Sequence, residues 1–453
     1  MRFDRELVSR YDVPGPRYTS YPPLPVFRDG FDADEHLELL RGGHQPSRPL
    51  SLYLHVPFCH TRCLFCGCNV VISRSAARAD AYLDLLIREI ERVAIEAGSN
   101  RPVQQVHWGG GTPNFLDAGQ IGRLGTALAS SFPGVSEAEI GVELDPRRID
   151  DRQLDAFAEL GVRRVSFGVQ DLDPAVQRAV RREIDLPELR RVVEGARRRG
   201  VRGVNFDLIY GLPHQTVASF ERTLDRILSL APDRLAVYNF AYLPERFAHQ
   251  AALDREALPG PEERLAILEM TIERLTSAGL RYLGFDHFAR PADPLVAALA
   301  DGTGRRSFQG YSTDGACDLL GFGVSAISRL EGGFVQNKRS LADYGEAVAR
   351  TGLAGDKGLR FRPEDRLRSD VIQDLLCRMW VDKAEIEARH GIDFDEHFAD
   401  ELSRLRPLEL DGLVTDSGGF LEITPAGQLV ARVVAMVFDE YLASSETRFS
   451  RVV

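Results

Sequence analysis

Tryptophan and methionine are scarce in this chain, two and four among 453 residues, and the 56 lysines and arginines fall short of the 67 acidic residues. The net charge of -11 excludes broad non-specific binding to nucleic acid, which needs a basic surface to displace counterions from phosphates. Any anionic ligand must therefore find a local basic pocket. Long apolar runs are also missing: none approaches a membrane span, and Met1 to Pro14 mixes charges without an apolar core, so no signal peptide is expected. Neither nucleic acid nor membrane is expected as a partner, and the cytoplasm is the expected location. What is present is ordinary for a compact soluble body, with 44% hydrophobic and 27% charged residues. Cysteine is sparse at six, but Cys59, Cys63, Cys66 and Cys68 crowd together while Cys317 and Cys377 stand alone. Such clustering in a large reduced chain points to metal or redox chemistry rather than to disulfides.

From Ser51 short β-rich runs alternate with segments of helical period. The runs are Ser51 to Pro57, Val103 to Trp108, Glu139 to Leu144, Arg163 to Val169, Gly203 to Ile209 and Arg234 to Phe240. The helical segments between and after them are Ala79 to Ala97, Ala118 to Ser131, Asp151 to Leu160, Leu186 to Arg199, Val217 to Leu230 and Pro261 to Ala278. Repeated right-handed βαβ units give a parallel sheet, and six units are fewer than the eight of a closed barrel. The fold expected is α/β, a partial, open TIM-like (β/α)6 barrel. The proline-rich residues 1–50 are expected to form an extended arm covering the active site, residues 51–366 the catalytic domain, and residues 367–453 a small, mainly helical, winged-helix-like C-terminal domain. A weakly periodic, Gly-rich stretch covers Asp286 to Gly333. In the C-terminal part, helices are expected over Ser369 to Met379 and Phe394 to Leu405, a hairpin over Leu413 to Thr424, and a last helix near Pro425 capped by Thr424.

The loop after the first strand reads Cys59-His60-Thr61-Arg62-Cys63-Leu64-Phe65-Cys66, a C-x3-C-x2-C triplet. Three thiolates leave one iron of a four-iron cluster open to a small chelator, and the amino and carboxylate groups of S-adenosylmethionine suit that vacancy. Structural zinc on all four thiols is the bland alternative. Its ligands usually come as separated pairs that staple distant segments, and this loop would close only on itself.

Cys59, Cys63 and Cys66 match the cluster triplet of the radical S-adenosylmethionine superfamily, and Tyr53-Leu54-His55-Val56-Pro57-Phe58-Cys59 resembles its oxygen-independent coproporphyrinogen III oxidase branch. The resemblance spans nearly the whole chain, through Pro16-Arg17-Tyr18-Thr19-Ser20-Tyr21-Pro22, Asp286-His287-Phe288-Ala289-Arg290-Pro291 and Phe449-Ser450-Arg451-Val452. It implies a [4Fe-4S] cluster on the triplet and two molecules of S-adenosylmethionine. Carried over residue by residue, it places Tyr53, Gly110, Gly111, Thr112, Glu143, Gln170, Arg182, Asp207 and Ala241 against the first molecule, and Phe308, Gln309 and Ile327 near the second. Glycines in His107-Trp108-Gly109-Gly110-Gly111-Thr112-Pro113, at a strand end, also let backbone groups approach a ligand closely. Glu143, Gln170 and Asp207 recur at successive strand ends, where barrel enzymes gather their reactive groups.

The chemistry implied is oxidative decarboxylation of two propionates of coproporphyrinogen III to vinyl groups, started by a 5′-deoxyadenosyl radical and giving protoporphyrinogen IX. An electron donor for the cluster is required, and a monomer is the expected state. Arg17 and Arg290 are candidate carboxylate partners, since guanidinium binds carboxylate bidentately. Cys68, Tyr53 and His55 are the candidate catalytic residues. Heme-chaperone relatives usually have phenylalanine where Cys68 stands, so Cys68 favours the oxidase; the alternative is a buried free thiol acting as a small hydrophobe. His55 fits a core histidine as well as a proton donor, and His214, His249 and His390 read as ordinary surface or capping residues. A heme-binding chaperone and a tetrapyrrole-modifying radical methyltransferase remain the competing readings.

Overall fold

The structure, a computed structural model, describes residues 3–42, 47–313, 315, 317–442 and 451. It divides into two compact units. The barrel unit comprises Arg28–Ala278 and Ala316–Arg360, and the terminal unit comprises Met1–Phe27, Gly279–Gly315 and Phe361–Val453.

In the barrel unit six strands follow one another in parallel: β1 (Leu50–Val56), β2 (Val103–Gly110), β3 (Glu139–Leu144), β4 (Val162–Gln170), β5 (Gly203–Tyr210) and β6 (Arg234–Asn239). Helices α1 (Ala76–Ala97), α2 (Ala118–Ser131), α3 (Asp151–Glu159), α4 (Leu186–Arg198) and α5 (Val217–Leu228) connect them, and α6 (Pro261–Ser277) follows β6. These lie close to the expected ranges because five of the six helices announce their start with a capping side chain. Ser75, Asp117, Asp150, Asp185 and Thr216 each cap the N-terminus that follows, three of them in reciprocal capping boxes. The free edge of β1 is taken in parallel by β7 (Asp318–Phe322), so β1 does not meet β6 and the barrel is open. Antiparallel β8 (Ile327–Leu330), β9 (Gly333–Asn337) and β10 (Gly355–Arg360) extend the sheet.

Side chains alternate across the strands with period two. Leu52, Leu54, Val106, Trp108, Val142, Leu144, Val165, Phe167, Phe206 and Leu208 are buried on one face. The opposite face carries Tyr53, His107, Glu143, Ser166, Asn205 and Asp207, all half-buried. A closed barrel fills this inner face with branched aliphatics. Here it is polar, which suits a ligand lining rather than a packed core.

Glu89 on α1 holds the sheet extension to the barrel from an entirely buried position. Its carboxylate accepts from the Gly323 N–H (2.7 Å), the Asn337 amide (2.6 Å) and the Tyr344 hydroxyl (2.7 Å). Nearby, the Tyr82 hydroxyl donates to the His55 carbonyl at 2.7 Å and accepts from the Val324 N–H at 3.1 Å. The loop after β7 is thereby tied to both α1 and β1.

The terminal unit draws three sequence segments into one core. Tyr18 and Tyr21 pack with Phe285, Leu367, Val371, Leu375, Phe394, Phe398 and Phe438. The Tyr18 hydroxyl donates to Asp439 at 3.0 Å, and Arg10 and Tyr11 both reach Asp411 at 2.7 Å. Helices Pro363–Cys377, Lys383–His390 and Ala399–Leu410 pack with a three-stranded sheet, in which the expected hairpin, Val414–Asp416 and Phe420–Ile423, is joined by Trp380–Asp382. The expected helix over Phe394 to Leu405 breaks at the buried Phe398.

Two further expectations are corrected. The stretch Asp286 to Gly333 holds the strands His287–Ala289, Arg305–Ser307 and Gly310–Ser312, the helix Pro294–Asp301, and β7 and β8. Strands this short leave no room for periodicity. The last helix begins at Ala431 rather than near Pro425, after a 3-10 turn at Gln428–Val430. Thr424 instead closes the preceding turn, donating to the Gly412 carbonyl at 2.7 Å and accepting from the Gly427 N–H at 3.2 Å. Phe449, Ser450 and Val452 of the terminal motif lie outside the described residues.

Burial raises the Glu89 carboxyl to about 7, above its ordinary value. Its contribution to stability is therefore complete below the unfolded value and is lost as pH rises through about 7. The Glu89→Gln variant should lose this part of the pH dependence of melting between pH 5 and pH 8. It should also be destabilised by ~1–3 kcal/mol, because its amide N–H2 faces donors; thermal unfolding across that range tests both.

Candidate active site

The cysteine loop leaves β1 and is pinned at several points. The Val71 N–H donates to the Pro57 carbonyl (2.7 Å), the Ser73 N–H to the Cys59 carbonyl (3.0 Å), and the Leu64 N–H to the Val180 carbonyl (3.1 Å). Leu64 sinks into an apolar cluster with Val176, Val180, Leu212, Phe240 and Leu253. His60 stacks on Phe115, with ring centroids 4.6 Å apart. His249, expected to be an ordinary surface or capping residue, instead reaches the Cys66 carbonyl through Nε2 at 2.7 Å. His390 likewise bonds Asp370 at 3.0 Å, within the terminal unit, and His214 occupies a left-handed turn with φ of 68°.

Cys63 is buried, Cys59 and Cys66 are half-buried, and Cys68 is exposed. Two guanidinium groups approach the Cys63 sulfur: Arg182 donates from Nη1 at 3.5 Å and Arg147 from Nη2 at 3.8 Å. Asp145 lies between them, accepting from Arg147 Nη2 at 2.6 Å and lying 3.5 Å from Arg182. Burial opposes ionisation of Asp145, but the two guanidinium charges overcome it and hold its carboxyl down at about 2. Cys68 lowers the Cys66 thiol pKa, so the two thiols interact electrostatically. Among the described residues no three His, Cys, Asp or Glu side chains gather closely enough to hold a single metal ion.

Strand ends supply the rest. Gly109, Gly110 and Gly111 close β2, and a side chain on any of them would collide. A Cβ on Gly109 would lie 2.8 Å from the Glu143 carboxylate, on Gly110 2.8 Å from the His55 ring, and on Gly111 2.7 Å from the Pro57 and Phe58 backbone. Gly110 also has φ of 109°, which only glycine adopts readily. Thr112 is buried and accepts from the Asp145 N–H at 3.2 Å, joining the ends of β2 and β3.

Glu143 takes a hydrogen bond from His107 Nε2 at 3.0 Å. Burial would raise its carboxyl, but that bond and the adjacent imidazole keep it below the ordinary value. Asp207 accepts from the Ser166 hydroxyl (2.8 Å) and the Asn205 amide (2.9 Å), yet burial, with Glu143 nearby, raises it to about 6. The Tyr53 hydroxyl and His55 Nδ1 lie 3.1 Å apart, and His55 Nε2 bonds the Asn69 carbonyl at 3.1 Å. Burial lowers the His55 pKa and favours the neutral ring. Gln170 ends β4 in the left-handed region, φ 69°, and its buried Oε1 has no hydrogen-bond partner. The Ala241 carbonyl, just past β6, accepts from Gln250 at 3.3 Å.

The barrel unit thus brings together Tyr53, His55, Cys59, Cys63, Cys66, Cys68, the glycine turn, Glu143, Gln170, Arg182, Asp207 and Ala241 at neighbouring strand ends. Ile327 begins β8 in the same unit and is buried. Phe308 and Gln309 stand at a hairpin tip in the terminal unit, where Gln309 bonds the Ser307 hydroxyl. Arg17 and Arg290 belong to the terminal unit as well, and the Arg17 carbonyl accepts from Arg306 at 3.4 Å. Sequence reasoning missed Arg147, two positions after Asp145, and His249, whose partner lies 183 residues away.

The residues fit the cofactors that the cysteine motif implies. Three thiols on one pinned loop meet positive charge, an orphaned polar atom of Gln170 awaits a partner, and the glycine turn bares backbone for a ligand. Residues 53–227 match the model of the Radical SAM superfamily and residues 361–430 that of the HemN C-terminal domain. Proteins named oxygen-independent coproporphyrinogen III oxidase from Pseudomonas aeruginosa and Escherichia coli K12 are each 44% identical over 100% of this chain, covering 99% and 98% of theirs. That from Synechocystis is 41% identical over the same share of the chain. The solved structure of coproporphyrinogen III oxidase (HemN) from Escherichia coli, described as a radical SAM enzyme, superposes with a TM-score of 0.93 at 42% identity, covering 98% of this chain and 100% of that one. With such likeness running end to end, the chain belongs to the oxygen-independent coproporphyrinogen III oxidase family of radical S-adenosylmethionine enzymes.

Proposed function

We propose that Cys59, Cys63 and Cys66 hold the [4Fe-4S] cluster, and that Tyr53, Gly110, Gly111, Thr112, Glu143, Gln170, Arg182, Asp207 and Ala241 hold S-adenosylmethionine, in an enzyme that oxidises coproporphyrinogen III without oxygen. The full-length identity to proteins named for that reaction carries the reading. It favours oxidation over heme carriage or methyl transfer. When bound, cluster and S-adenosylmethionine together would supply a 5′-deoxyadenosyl radical for hydrogen abstraction from a propionate side chain, whose carboxylate would then be lost as CO2 and one electron passed to an acceptor to leave vinyl, twice per substrate on the way to protoporphyrinogen IX.

The protein's part is placement and charge. The Gly109–Gly111 turn, bare of side chains, lets a ligand come close to the main chain at the end of β2. Glu143, kept ionised by His107, and Asp207 set negative charge on the polar inner face, which would suit the cationic sulfonium and amino groups of S-adenosylmethionine. Arg182 offers positive charge to its carboxylate while facing Cys63. Neutral His55, bonded to Tyr53 and Asn69, holds a proton beside the glycine turn. We assign Cys68, two residues after Cys66 in the same loop, a role on the substrate. Phe308, Gln309 and Ile327 are assigned to a second S-adenosylmethionine, Arg17 and Arg290 to substrate carboxylates, and residues 51–366 to the catalytic body. A reductant for the cluster and an acceptor for the substrate electrons must come from outside.

Under anaerobic conditions the reconstituted enzyme with dithionite, S-adenosylmethionine and coproporphyrinogen III should yield protoporphyrinogen and 5′-deoxyadenosine, followed by chromatography. Cys63→Ala should lose both iron and product, whereas Cys68→Ser should keep its iron and lose product. A Cys68→Ser enzyme of unaltered turnover would remove Cys68 from the chemistry.

Asp207 is largely neutral below about pH 6 and ionised above it. Binding of S-adenosylmethionine, measured by calorimetry, should therefore tighten roughly three- to tenfold between pH 5 and pH 7.5. That dependence should flatten in Asp207→Asn.

Separately, Arg17→Ala and Arg290→Ala should each raise KM for the porphyrinogen with cluster absorbance unaltered. A KM at the wild-type value would take that arginine off the substrate.

A further inference from the structure

Of the charged groups around the cysteine loop, Arg147 is the one to which neither the motif nor the family resemblance gives a task. Its position is closely determined. Nε and Nη2 grip the two oxygens of Asp145 at 2.9 and 2.6 Å, in the bidentate geometry that guanidinium and carboxylate favour. The Asp145 backbone is fixed in turn, its N–H donating to Asn114 Oδ1 at 2.9 Å and Thr112 Oγ1 at 3.2 Å. A third nitrogen, Nη1, reaches the Arg181 carbonyl at 3.4 Å. Held on these sides, the guanidinium presents Nη2 to the Cys63 sulfur at 3.8 Å.

Arg182 meets the same sulfur, but its Nε also binds the Gly168 carbonyl at 2.8 Å and its charge is assigned to S-adenosylmethionine. Arg147 faces the sulfur without that second duty. Two guanidinium groups against the one carboxylate of Asp145 leave net positive charge beside this thiolate. Hydrogen bonds and positive charge at a ligating sulfur stabilise the reduced, more negative cluster over the oxidised one.

We propose that Arg147 is a positioning residue that sets the cluster's reduction potential, raising it by donating to Cys63 Sγ from a guanidinium anchored on Asp145. The proposal rests on the cluster sitting at Cys59, Cys63 and Cys66. Its effect lies in the readiness of the cluster to accept an electron, so it is read without turnover.

The test is an anaerobic redox titration of the reconstituted protein followed by electron paramagnetic resonance, beside iron and sulfide analysis and thermal unfolding. Wild type is compared with Arg147→Met, Arg147→Gln and Arg147→Lys. At the wild-type midpoint, the reduced-to-oxidised ratio should fall about tenfold in the Met and Gln variants, a shift of about 59 mV downward for a one-electron couple. Iron content should be maintained, and Lys should restore part of the shift. Should the Met variant fail to fold, the Gln variant decides. Midpoints at the wild-type value in the neutral variants would overturn the proposal. So would loss of iron from folded protein in both, which would make Arg147 an assembly residue. A wild-type protein that builds no reducible cluster would instead sink the underlying reading of the cysteines.

Discussion

Negative charge has to be kept away from bulk water at the ends of parallel strands, and the site is organised around that requirement. Thiolates, Glu143, Asp145 and Asp207 all sit within one unit, and unopposed carboxylates in such surroundings would take up protons. The protein answers each differently. Asp145 is answered by two guanidinium groups and stays ionised far below its ordinary range. Glu143 is answered by His107, and Asp207 chiefly by neutral hydroxyl and amide donors, with Arg182 a smaller influence, which leaves it at about 6. Neighbouring carboxylates on one inner face thus differ in readiness to ionise because their partners differ.

That arrangement depends on structure at a distance from the cofactors. Thr112 and Asn114 fix the Asp145 backbone, so the end of β2 dictates where the end of β3 places its charge. Tyr82 holds the His55 carbonyl while Glu89 on the same helix gathers the loop after β7 and the end of β9. The long helix α1 therefore registers β1, which leads into the cysteine loop, against the sheet extension.

Much of this was legible in the sequence, for physical reasons that differ by residue. The strands and helices of the barrel announce themselves through period and capping, both local properties. The cysteine triplet is legible because its ligands lie within one loop, and Glu143, Gln170 and Asp207 because strand ends converge in this class of fold. Arg147 and His249 were not legible. Nothing in Asp145-Pro146-Arg147 says that the arginine turns back toward Cys63, and His249 finds the Cys66 carbonyl only after the chain has completed β6. The short strands between Asp286 and Gly333 were missed because three to five residues carry too few alternations to show a period.

The glycine turn carries a consequence for how this chain can change over generations. At three consecutive positions an added methyl group would strike three different obstacles: a carboxylate, an imidazole and a stretch of main chain. No one compensating substitution elsewhere could make room at all three, and the main-chain obstacle cannot be trimmed by any side-chain exchange. Substitution is thus closed at this turn. A descendant with a new substrate would inherit the turn unaltered and differ in what surrounds it.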